Sequence, residues 1–312
     1  MRRTLAVDLG GLIVPTPVMI AAGCGGTGRE LAGLVDLRQV GAIVTRSVTI
    51  DPRPGSPTPR IAESPAGVVW ETGLQNPGLD AFVRDELPRM AQGVNVIVSV
   101  AGGTLEEYVR LTTGLQGRRE VAAIEVYLSG PDAEMDRSVL GHHVDRVNEI
   151  VGAVARMSLV PVFAKLPSGG DTVELARTAS RAGATGVTLL GSPPALSVDP
   201  ALRRPALGNV TGWLAGPALR PVSLRAVFDV AQALPDIPIV ASGGVRTPDD
   251  AVEMLLAGAW AVEIGTAALV DPGASVTVAR GIAAYLKASG LASPADARGR
   301  LVVPASVSEQ PA

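Results

Sequence analysis

The chain has 312 residues, of which 47% are hydrophobic and 3% aromatic, and its formal net charge is -3. That length fits one large α/β barrel or two ordinary domains. The charge and the scarcity of aromatic residues argue against nucleic acid or anionic lipid as partners. No apolar run reaches the roughly 18 residues that span a bilayer, and the N-terminus lacks a signal-peptide core. We therefore expect a cytoplasmic protein without a membrane partner, and the single Cys24 excludes an internal disulfide framework.

Apolar runs alternate with helical patterns along the chain, which predicts eight parallel strands joined by helices. We predict a single-domain (β/α)8 TIM barrel over residues 1–312, with a hairpin at 3–15, long loops at 46–78 and 191–222, and a loose tail at 301–312. The predicted strands cover 18–22, 42–45, 94–100, 121–128, 160–165, 186–190, 237–241 and 259–264. The predicted helices cover about 29–38, 79–91, 104–116, 141–157, 223–233 and 248–257, with another one capped by Asp171 and Glu174.

The last strand–helix–strand unit, residues 237–266, has a glycine turn at the end of each strand. Gly243 and Gly244 follow the first strand, and Gly265 and Thr266 follow the second. In a (β/α)8 barrel the loops after strands 7 and 8 often bind phosphate through backbone N–H groups. The unit therefore predicts a phosphate site, with simple turn formation as the alternative.

Lys165 ends a short apolar strand, at the edge of the barrel where active sites lie. A buried lysine needs an anionic partner, because its burial is otherwise costly. The alternative is that its long side chain reaches solvent.

Several motifs together resemble the class 1 dihydroorotate dehydrogenases, and they are most similar to the class 1B catalytic subunit. The resemblance runs over about residues 10–270 and implies an FMN-containing (β/α)8 barrel. The motifs are AAGCGGTGRE at 21–30, SPTPRIAESPAG at 56–67, GLQNPGLD at 73–80, VAG at 100–102, AKL at 164–166, GPALRPVSLR at 216–225, SGGV at 242–245 and GTA at 265–267.

The resemblance also implies which residues bind FMN. The glycine turns would hold its phosphate, and Lys165 would face the pyrimidine edge, where a cation stabilises reduced flavin. Ser99 stands where the family often has asparagine. The implied cofactor residues are Ala22, Gly23, Arg46, Ser47, Ser99, Tyr127, Lys165, Leu190, Gly216, Gly243, Gly244, Gly265 and Thr266.

The substrate side departs from the family pattern. Gly130 occupies the position of the catalytic cysteine, the base that takes the C5 proton of dihydroorotate, and Tyr127 and Asp132 replace two asparagines. General-base assistance is typically worth about 10²–10⁴-fold, so its loss predicts a different substrate. Arg46 replaces a lysine and suits a carboxylate. The implied substrate residues are Trp70, Gly73, Leu74, Gln75, Asn76, Gly130, Gly191 and Ser192.

Other residues are candidates to replace the missing base. Tyr127 can act as an acid or, when deprotonated, as a base, or its ring can simply fill space. Ser129 neighbours the old base but should point the other way. Asp132 and Cys24 are further candidates, against a solvated carboxylate and an inert buried thiol. We name Tyr127, Arg46 and Lys165 as the catalytic residues and expect no metal ligands.

The favoured interpretation is an FMN-dependent oxidoreductase acting on a CH–CH bond, a divergent paralogue with its own small-molecule substrate. One alternative is a true dihydroorotate dehydrogenase that uses another base. Another is a non-catalytic barrel that binds FMN or a protein partner. The resemblance further implies a homodimer and an iron–sulfur, FAD-containing electron-transfer subunit as partner.

Overall fold

Eight parallel strands close into a barrel in the computed structural model, which describes residues 4–130 and 139–304. This confirms the predicted (β/α)8 fold. The first and last barrel strands pair with each other, so the sheet has no free edge. In chain order the strands are β1 (Val7–Asp8), β2 (Ile13–Val14), β3 (Val18–Ile20), β4 (Ala42–Val44), β5 (Ile61–Ser64), β6 (Gly67–Trp70), β7 (Asn95–Val100), β8 (Val121–Tyr127), β9 (Val162–Lys165), β10 (Gly186–Leu189), β11 (Pro194–Ala195), β12 (Val198–Asp199), β13 (Arg204–Pro205), β14 (Gly212–Ala215), β15 (Ile239–Ser242) and β16 (Ala261–Ile264). The barrel consists of β3, β4, β7, β8, β9, β10, β15 and β16.

The predicted N-terminal hairpin forms and belongs to the base of the barrel. Strands β1 and β2 pair antiparallel, and Leu9, Leu12 and Val14 are buried. These side chains pack in one cluster with a layer of apolar residues contributed by the barrel strands. The strand members of this layer are Met19, Ala42, Val44, Ile97, Ala123, Phe163, Val240 and Ala261.

Helices cover the outside of the barrel, and their starts follow local capping rules. The side chains of Thr104, Asp171 and Thr247 each accept a hydrogen bond from a first-turn N–H group. At Thr247 the Asp250 side chain completes a reciprocal capping box. The helices are α1 (Arg29–Ala32), α2 (Leu79–Ala81), α3 (Leu105–Leu115), α4 (Val144–Met157), α5 (Thr172–Arg181), α6 (Arg220–Ala233), α7 (Pro248–Ala257), α8 (Thr266–Val270), α9 (Ala274–Ala288) and α10 (Pro294–Ala297).

Some predicted helices are shorter or less regular than expected. The helix predicted over 29–38 is only the short α1, followed by a 3₁₀ turn at Leu37–Gln39. The segment 79–91 combines α2 with a π-helical turn and a 3₁₀ turn. Helix α9 was not predicted, although it packs against α7 and β3 and buries Val278 and Ile282.

The two long loops contain strands that the sequence analysis did not predict. Strands β5 and β6 lie in the first loop, and β11 and β14 in the second. Together they form a four-stranded antiparallel sheet in the order β11-β14-β6-β5. The loops are therefore ordered through pairing with each other.

Two further findings concern the described residues only. No helix among them is long and apolar enough to cross a membrane. Within 4–130 and 139–304, no group of three or more His, Cys, Asp or Glu residues has the arrangement of a metal site. Asp132, considered above as a base, and residues 305–312 of the predicted tail lie outside the described residues.

Candidate active site

A polar layer lies above the apolar base of the barrel, one side-chain step toward the carboxyl ends of the strands. Successive residues of a strand face opposite sides, so a residue two positions beyond an inward-facing one also faces inward. Ser99, Glu125 and Lys165 stand two residues after Ile97, Ala123 and Phe163 of the base. Ser242 and Glu263 follow Val240 and Ala261 in the same way, and all five polar residues are buried.

Lys165 is held inside the barrel by two carboxylates. Its Nζ atom lies 3.0 Å from Oε2 of Glu263 and 3.6 Å from Oε2 of Glu125. Burial alone would lower the pKa of Lys165, but attraction to both carboxylates outweighs it and raises that pKa above its usual range. The side chain therefore does not reach solvent, and the predicted anionic partner exists as a pair of glutamates.

For Glu125, in contrast to Lys165, the effect of burial on the pKa outweighs the attraction of the opposite charge. Burial raises the pKa of its carboxyl to about 7, against the attraction of Lys165, and repulsion from Glu263 adds to the rise. Thr188 donates a hydrogen bond of 3.1 Å to Oε2 of Glu125. Among the described residues, Oε1 of Glu125 and Oε1 of Glu263 have no hydrogen-bond partner.

The two predicted phosphate turns follow neighbouring strands. Ser242 of β15 is in register with Glu263 of β16, so both turns begin at the same level of the barrel. Gly243 and Gly244 have φ angles of +118° and +81°, which favour glycine. In the described chain, no protein acceptor takes the N–H groups of Gly243, Gly244, Gly265 and Thr266.

These turns have no room for larger residues. A Cβ atom on Gly243 would clash with Oγ of Ser223, and one on Gly244 would lie 2.5 Å from the backbone nitrogen of Arg220. Gly216, with φ of +105°, is equally close to another loop, because its Cβ atom would lie 2.6 Å from Cα of Gly67. The backbone of these turns is thus closely packed on the side where a Cβ atom would lie, while its N–H groups remain available to an anion.

Next to these turns around the barrel, the ends of β3, β4 and β7 contribute small residues and one cation. Ser47 and Ser99 are buried, and their hydroxyl oxygens are 2.9 Å apart. Gly23 follows β3 and lies next to Arg46, whose Cα would be 3.9 Å from a Cβ atom on Gly23. Arg46 is exposed and Ala22 is half-buried. The structure thus places Arg46 at the entrance, with Ser47 and Ser99 deeper in the barrel.

Tyr127 lies directly beside Gly130, the position that the resemblance assigns to the family's catalytic cysteine. A Cβ atom on Gly130 would lie 3.8 Å from Cε1 of Tyr127, and apart from the chain neighbours of Gly130 no other described residue comes within 4 Å of it. Burial raises the pKa of Tyr127 to about 12; Lys165 opposes this rise, Glu71 and Glu125 add to it, and the Ser129 hydroxyl lowers the pKa slightly. The phenol therefore keeps its proton at neutral pH, which makes it an acid rather than a base.

The loop that follows β10 lies close to Ser129, which follows β8. Leu190 is buried, and its N–H group donates to the Ser242 carbonyl at 2.9 Å. Gly191 is buried, and a Cβ atom there would clash with the Ser129 hydroxyl. Ser129 therefore lies against Gly191, close to the pocket that it was expected to point away from. Ser192 is half-buried.

Trp70 is part of the antiparallel sheet formed by the two long loops. It is directly opposite Trp213 in the β6–β14 pair, so the two indoles project from the same face. The indole nitrogen of Trp213 donates to Oε2 of Glu71 at 2.9 Å. The other oxygen of Glu71 accepts hydrogen bonds from Gly73 N and Ser56 Oγ. Glu71 thus fixes the strand end that carries Trp70.

The predicted substrate loop uses most of its polar side chains internally. The Asn76 amide nitrogen donates to Thr49 Oγ1 and to the Leu74 carbonyl, both at 2.8 Å. Its oxygen accepts from the N–H groups of Gly78 and Thr49. Gln75 is exposed and binds Arg60, and Leu74 has a positive φ of 51°. Asn76 therefore maintains the loop and has no hydrogen-bonding capacity left for a ligand.

Four residues of this region were not identified from the sequence: Glu71, Glu125, Trp213 and Glu263. The two barrel glutamates carried a signal, because each is the only charged residue in an apolar strand, the same pattern that drew attention to Lys165. Glu71 and Trp213 gave no such signal, since 142 residues separate them and only the pairing of the loops brings them together.

The described residues fit FMN. Four free N–H groups on neighbouring turns suit a phosphate, and the tight packing behind the glycines leaves room only on the ligand side. The buried ammonium of Lys165 suits the pyrimidine edge of a flavin. Fold and site together define a flavin-binding (β/α)8 barrel.

The comparisons with known proteins agree. The family model of dihydroorotate dehydrogenase matches residues 4–286. The chain is 45% identical to the catalytic subunit of dihydroorotate dehydrogenase B (NAD(+)) from Desulforudis audaxviator, over 93% of this chain and 95% of that one. The protein of the same name from Geotalea uraniireducens is 41% identical, over 96% and 98%. The chain belongs to the dihydroorotate dehydrogenase family, and it is an FMN-dependent oxidoreductase.

Proposed function

We propose that this protein acts on the CH–CH bond of a small carboxylate other than dihydroorotate, and that Tyr127 is its proton donor. The observation that carries the proposal is the geometry at Gly130. Among the described residues other than its chain neighbours, the side chain nearest to Gly130 is a phenol whose pKa is raised to about 12. A group that keeps its proton at neutral pH suits the addition of a proton to carbon, so the favoured direction is reduction of an activated double bond.

In this proposal the cofactor and the residues of the site have distinct roles. When bound, FMN supplies or accepts the hydride equivalent, as it does in flavoproteins generally. Tyr127 would donate its Oη proton to the carbon next to the activating group and regain a proton from solvent. Arg46, exposed at the entrance, would bind the substrate carboxylate as a fork. Trp70 and Trp213 would provide an apolar wall.

A second candidate is dihydroorotate oxidation itself, and a specific finding favours it. The relatives that cover nearly the whole chain are named dihydroorotate dehydrogenase B catalytic subunits. This function requires a base other than Tyr127, because the raised pKa of its phenol opposes deprotonation. We also propose that the chain, like the subunits so named, works with a second, electron-transferring subunit and forms a homodimer.

An anaerobic experiment separates the candidates. We expect dihydroorotate to leave the oxidised flavin absorbance unchanged. With reduced protein, we expect reoxidation by at least one of fumarate, mesaconate or cinnamate. Tyr127→Phe should slow that reoxidation by about 10²-fold or more, since proton donation commonly contributes 10²–10⁴-fold. Tyr285→Phe, which changes a tyrosine on α9, is the matched control and should have no effect.

Two results would contradict the proposal. Rapid bleaching by dihydroorotate would establish the second candidate. If dihydroorotate does not reduce the flavin and none of the three acceptors reoxidises it, the result would indicate the non-catalytic barrel.

A further inference from the structure

The polar layer of the barrel holds two carboxylates and only one cation. Oε2 of Glu263 and Oε2 of Glu125 both lie near Nζ of Lys165, at 3.0 and 3.6 Å. The side chains of all three residues are nearly inaccessible to solvent, at 9% exposure or less. If both carboxylates were ionised, the layer would carry a net charge of -1 in a site with little water. Burying an uncompensated charge is costly, so the layer is able to take up one proton, and further negative charge placed beside it strengthens that tendency.

The contacts indicate which carboxylate would take up that proton. Glu263 is closer to Lys165 and accepts its hydrogen bond, so it is the ionised partner. Glu125 is farther from the ammonium and is bound by the Thr188 hydroxyl. Its second oxygen has no hydrogen-bond partner among the described residues and can hold a proton, although the nearby Ser99 hydroxyl, like that of Thr188, favours the ionised form and lowers the pKa.

We propose that Glu125 takes up a proton from solvent when the flavin is reduced, so that the Glu125–Lys165–Glu263 layer couples the flavin potential to pH. The proposal rests on FMN lying against Lys165, as the family's chemistry implies, and it does not depend on the substrate. Two-electron reduction adds negative charge to the flavin. The negative charge of the flavin attracts Lys165 and so weakens the interaction of Lys165 with the two carboxylates. The neutral form of Glu125 is therefore favoured.

The other titratable groups around the layer do not provide this proton exchange. Tyr127 extends from the same strand as Glu125, and its pKa is raised to about 12. Cys24 follows β3 and interacts electrostatically with Lys165 and Glu263, and burial raises its pKa to about 11. Lys165 remains charged because its pKa is raised. Glu71 acts on Tyr127 from the loop sheet. Between pH 7 and 9, Glu125 is therefore the member of this group that exchanges a proton.

The balance can be written without any substrate. Two electrons from reduced methyl viologen, a one-electron donor that carries no proton, enter the flavin. One proton accompanies them onto the flavin and a second binds Glu125. Each proton taken up by a two-electron couple changes the midpoint potential by about 30 mV per pH unit, which is a tenfold change in the equilibrium.

The test is a potentiometric titration of the FMN-loaded protein between pH 7.5 and 9. Wild-type protein should show a slope approaching 60 mV per pH unit, two tenfold steps, and Glu125→Gln should show about 30 mV, one tenfold step. Glu263→Gln leaves Glu125 as the only carboxylate beside Lys165. The Glu263→Gln variant should also fail to take up the second proton. Its midpoint potential should rise by at least about 30 mV, which corresponds to a tenfold change in the equilibrium constant for reduction.

A measurement on unmodified protein covers the case in which the variants do not fold. Reduction by methyl viologen in weak buffer at pH 8, followed with an indicator dye, should consume close to two protons per flavin. Uptake of a single proton, or equal slopes for wild type and Glu125→Gln, would overturn the proposal. Neither result bears on Tyr127 or on the substrate, so failure here is distinct from failure of the proposed function.

Discussion

The ring of Tyr127 lies beside Gly130. A Cβ atom on Gly130 would lie 3.8 Å from Cε1 of Tyr127, and the rest of its surroundings within the described residues is open to 4 Å. Gly130 is also absent from the glycines with positive φ, so an ordinary L side chain fits its backbone. At the position that the resemblance assigns to the family's base, the phenol is therefore the nearest described side chain apart from the chain neighbours of Gly130.

The first prediction concerns restoring a thiol at this position. Gly130→Cys should change the free energy of unfolding by less than about 1 kcal/mol, because neither strain nor overpacking opposes it. It should raise dihydroorotate oxidation by no more than about tenfold over Gly130→Ala, since the family's asparagines remain replaced. Stopped-flow absorbance of the flavin measures the rate. A gain in the full 10²–10⁴-fold range of a general base would show instead that the base alone was missing.

The native thiol should be unreactive. Burial raises the pKa of Cys24 to about 11, although Lys165 lowers it. At pH 8 only ~0.1% of the thiol would be ionised, and the thiolate is the reactive form. A chromogenic disulfide reagent should therefore label folded protein very slowly and unfolded protein stoichiometrically. Fast labelling of the folded protein would revive Cys24 as a candidate base.

The sequence predicted the barrel well because each strand–helix unit is encoded locally. The strand of Lys165, the capping residue Thr247 and the turn at Gly243 and Gly244 are all recognisable within a few residues. The requirement for an anionic partner to Lys165 was also predictable from burial alone.

Long-range pairing limited the rest of the prediction. Lys165 and Glu263 are 98 residues apart, and only closure of the barrel brings β9 and β16 side chains together. Trp70 and Trp213 meet through the pairing of two loops whose glycines and prolines suggested irregular structure. The raised pKa of Tyr127 likewise depends on its burial in the folded chain and on the charges of residues distant in sequence, such as Glu71. The sequence therefore identified Tyr127 as a candidate, but the choice between acid and base needed the structure.

Asn76 offers a test of a structural role inside the predicted substrate loop. Asn76→Ala removes the partners of two backbone N–H groups, one carbonyl and the Thr49 hydroxyl. Leaving buried polar groups unpaired costs about 1–3 kcal/mol each, so we expect a loss of roughly 2–3 kcal/mol or more after partial relaxation. Gln75→Ala, next in the chain but exposed, is the control and should cost under about 0.5 kcal/mol. Equal urea midpoints for the two variants would contradict this role.

Gly244 tests the predicted phosphate turn. Alanine there meets both a positive φ and the backbone of Arg220 at 2.5–2.7 Å. Gly290 has a similar φ of +70° with open space around it, so Gly290→Ala isolates the backbone strain, worth about 1–2 kcal/mol. Gly244→Ala should cost about 1–3 kcal/mol more through overpacking and should weaken FMN binding at least tenfold. FMN release followed by fluorescence measures the second effect. Unchanged FMN affinity in Gly244→Ala would remove this turn from the cofactor site.

Glu125 should make the stability of the protein depend on pH in a definite direction. Burial raises the pKa of its carboxyl from the usual 4.5 to about 7 in the folded protein. The folded state therefore binds more protons than the unfolded state between these values, and the free energy of unfolding must fall as pH rises through this window. The effect is on the order of 1–3 kcal/mol, because one pKa unit corresponds to about 1.4 kcal/mol. Glu125→Gln keeps a neutral side chain at every pH, so urea unfolding at pH 5 and pH 8 should show the variant gaining stability relative to wild type at the higher pH. A difference between the two proteins that stays constant from pH 5 to pH 8 would mean that Glu125 is ionised throughout, with Lys165 neutralising it.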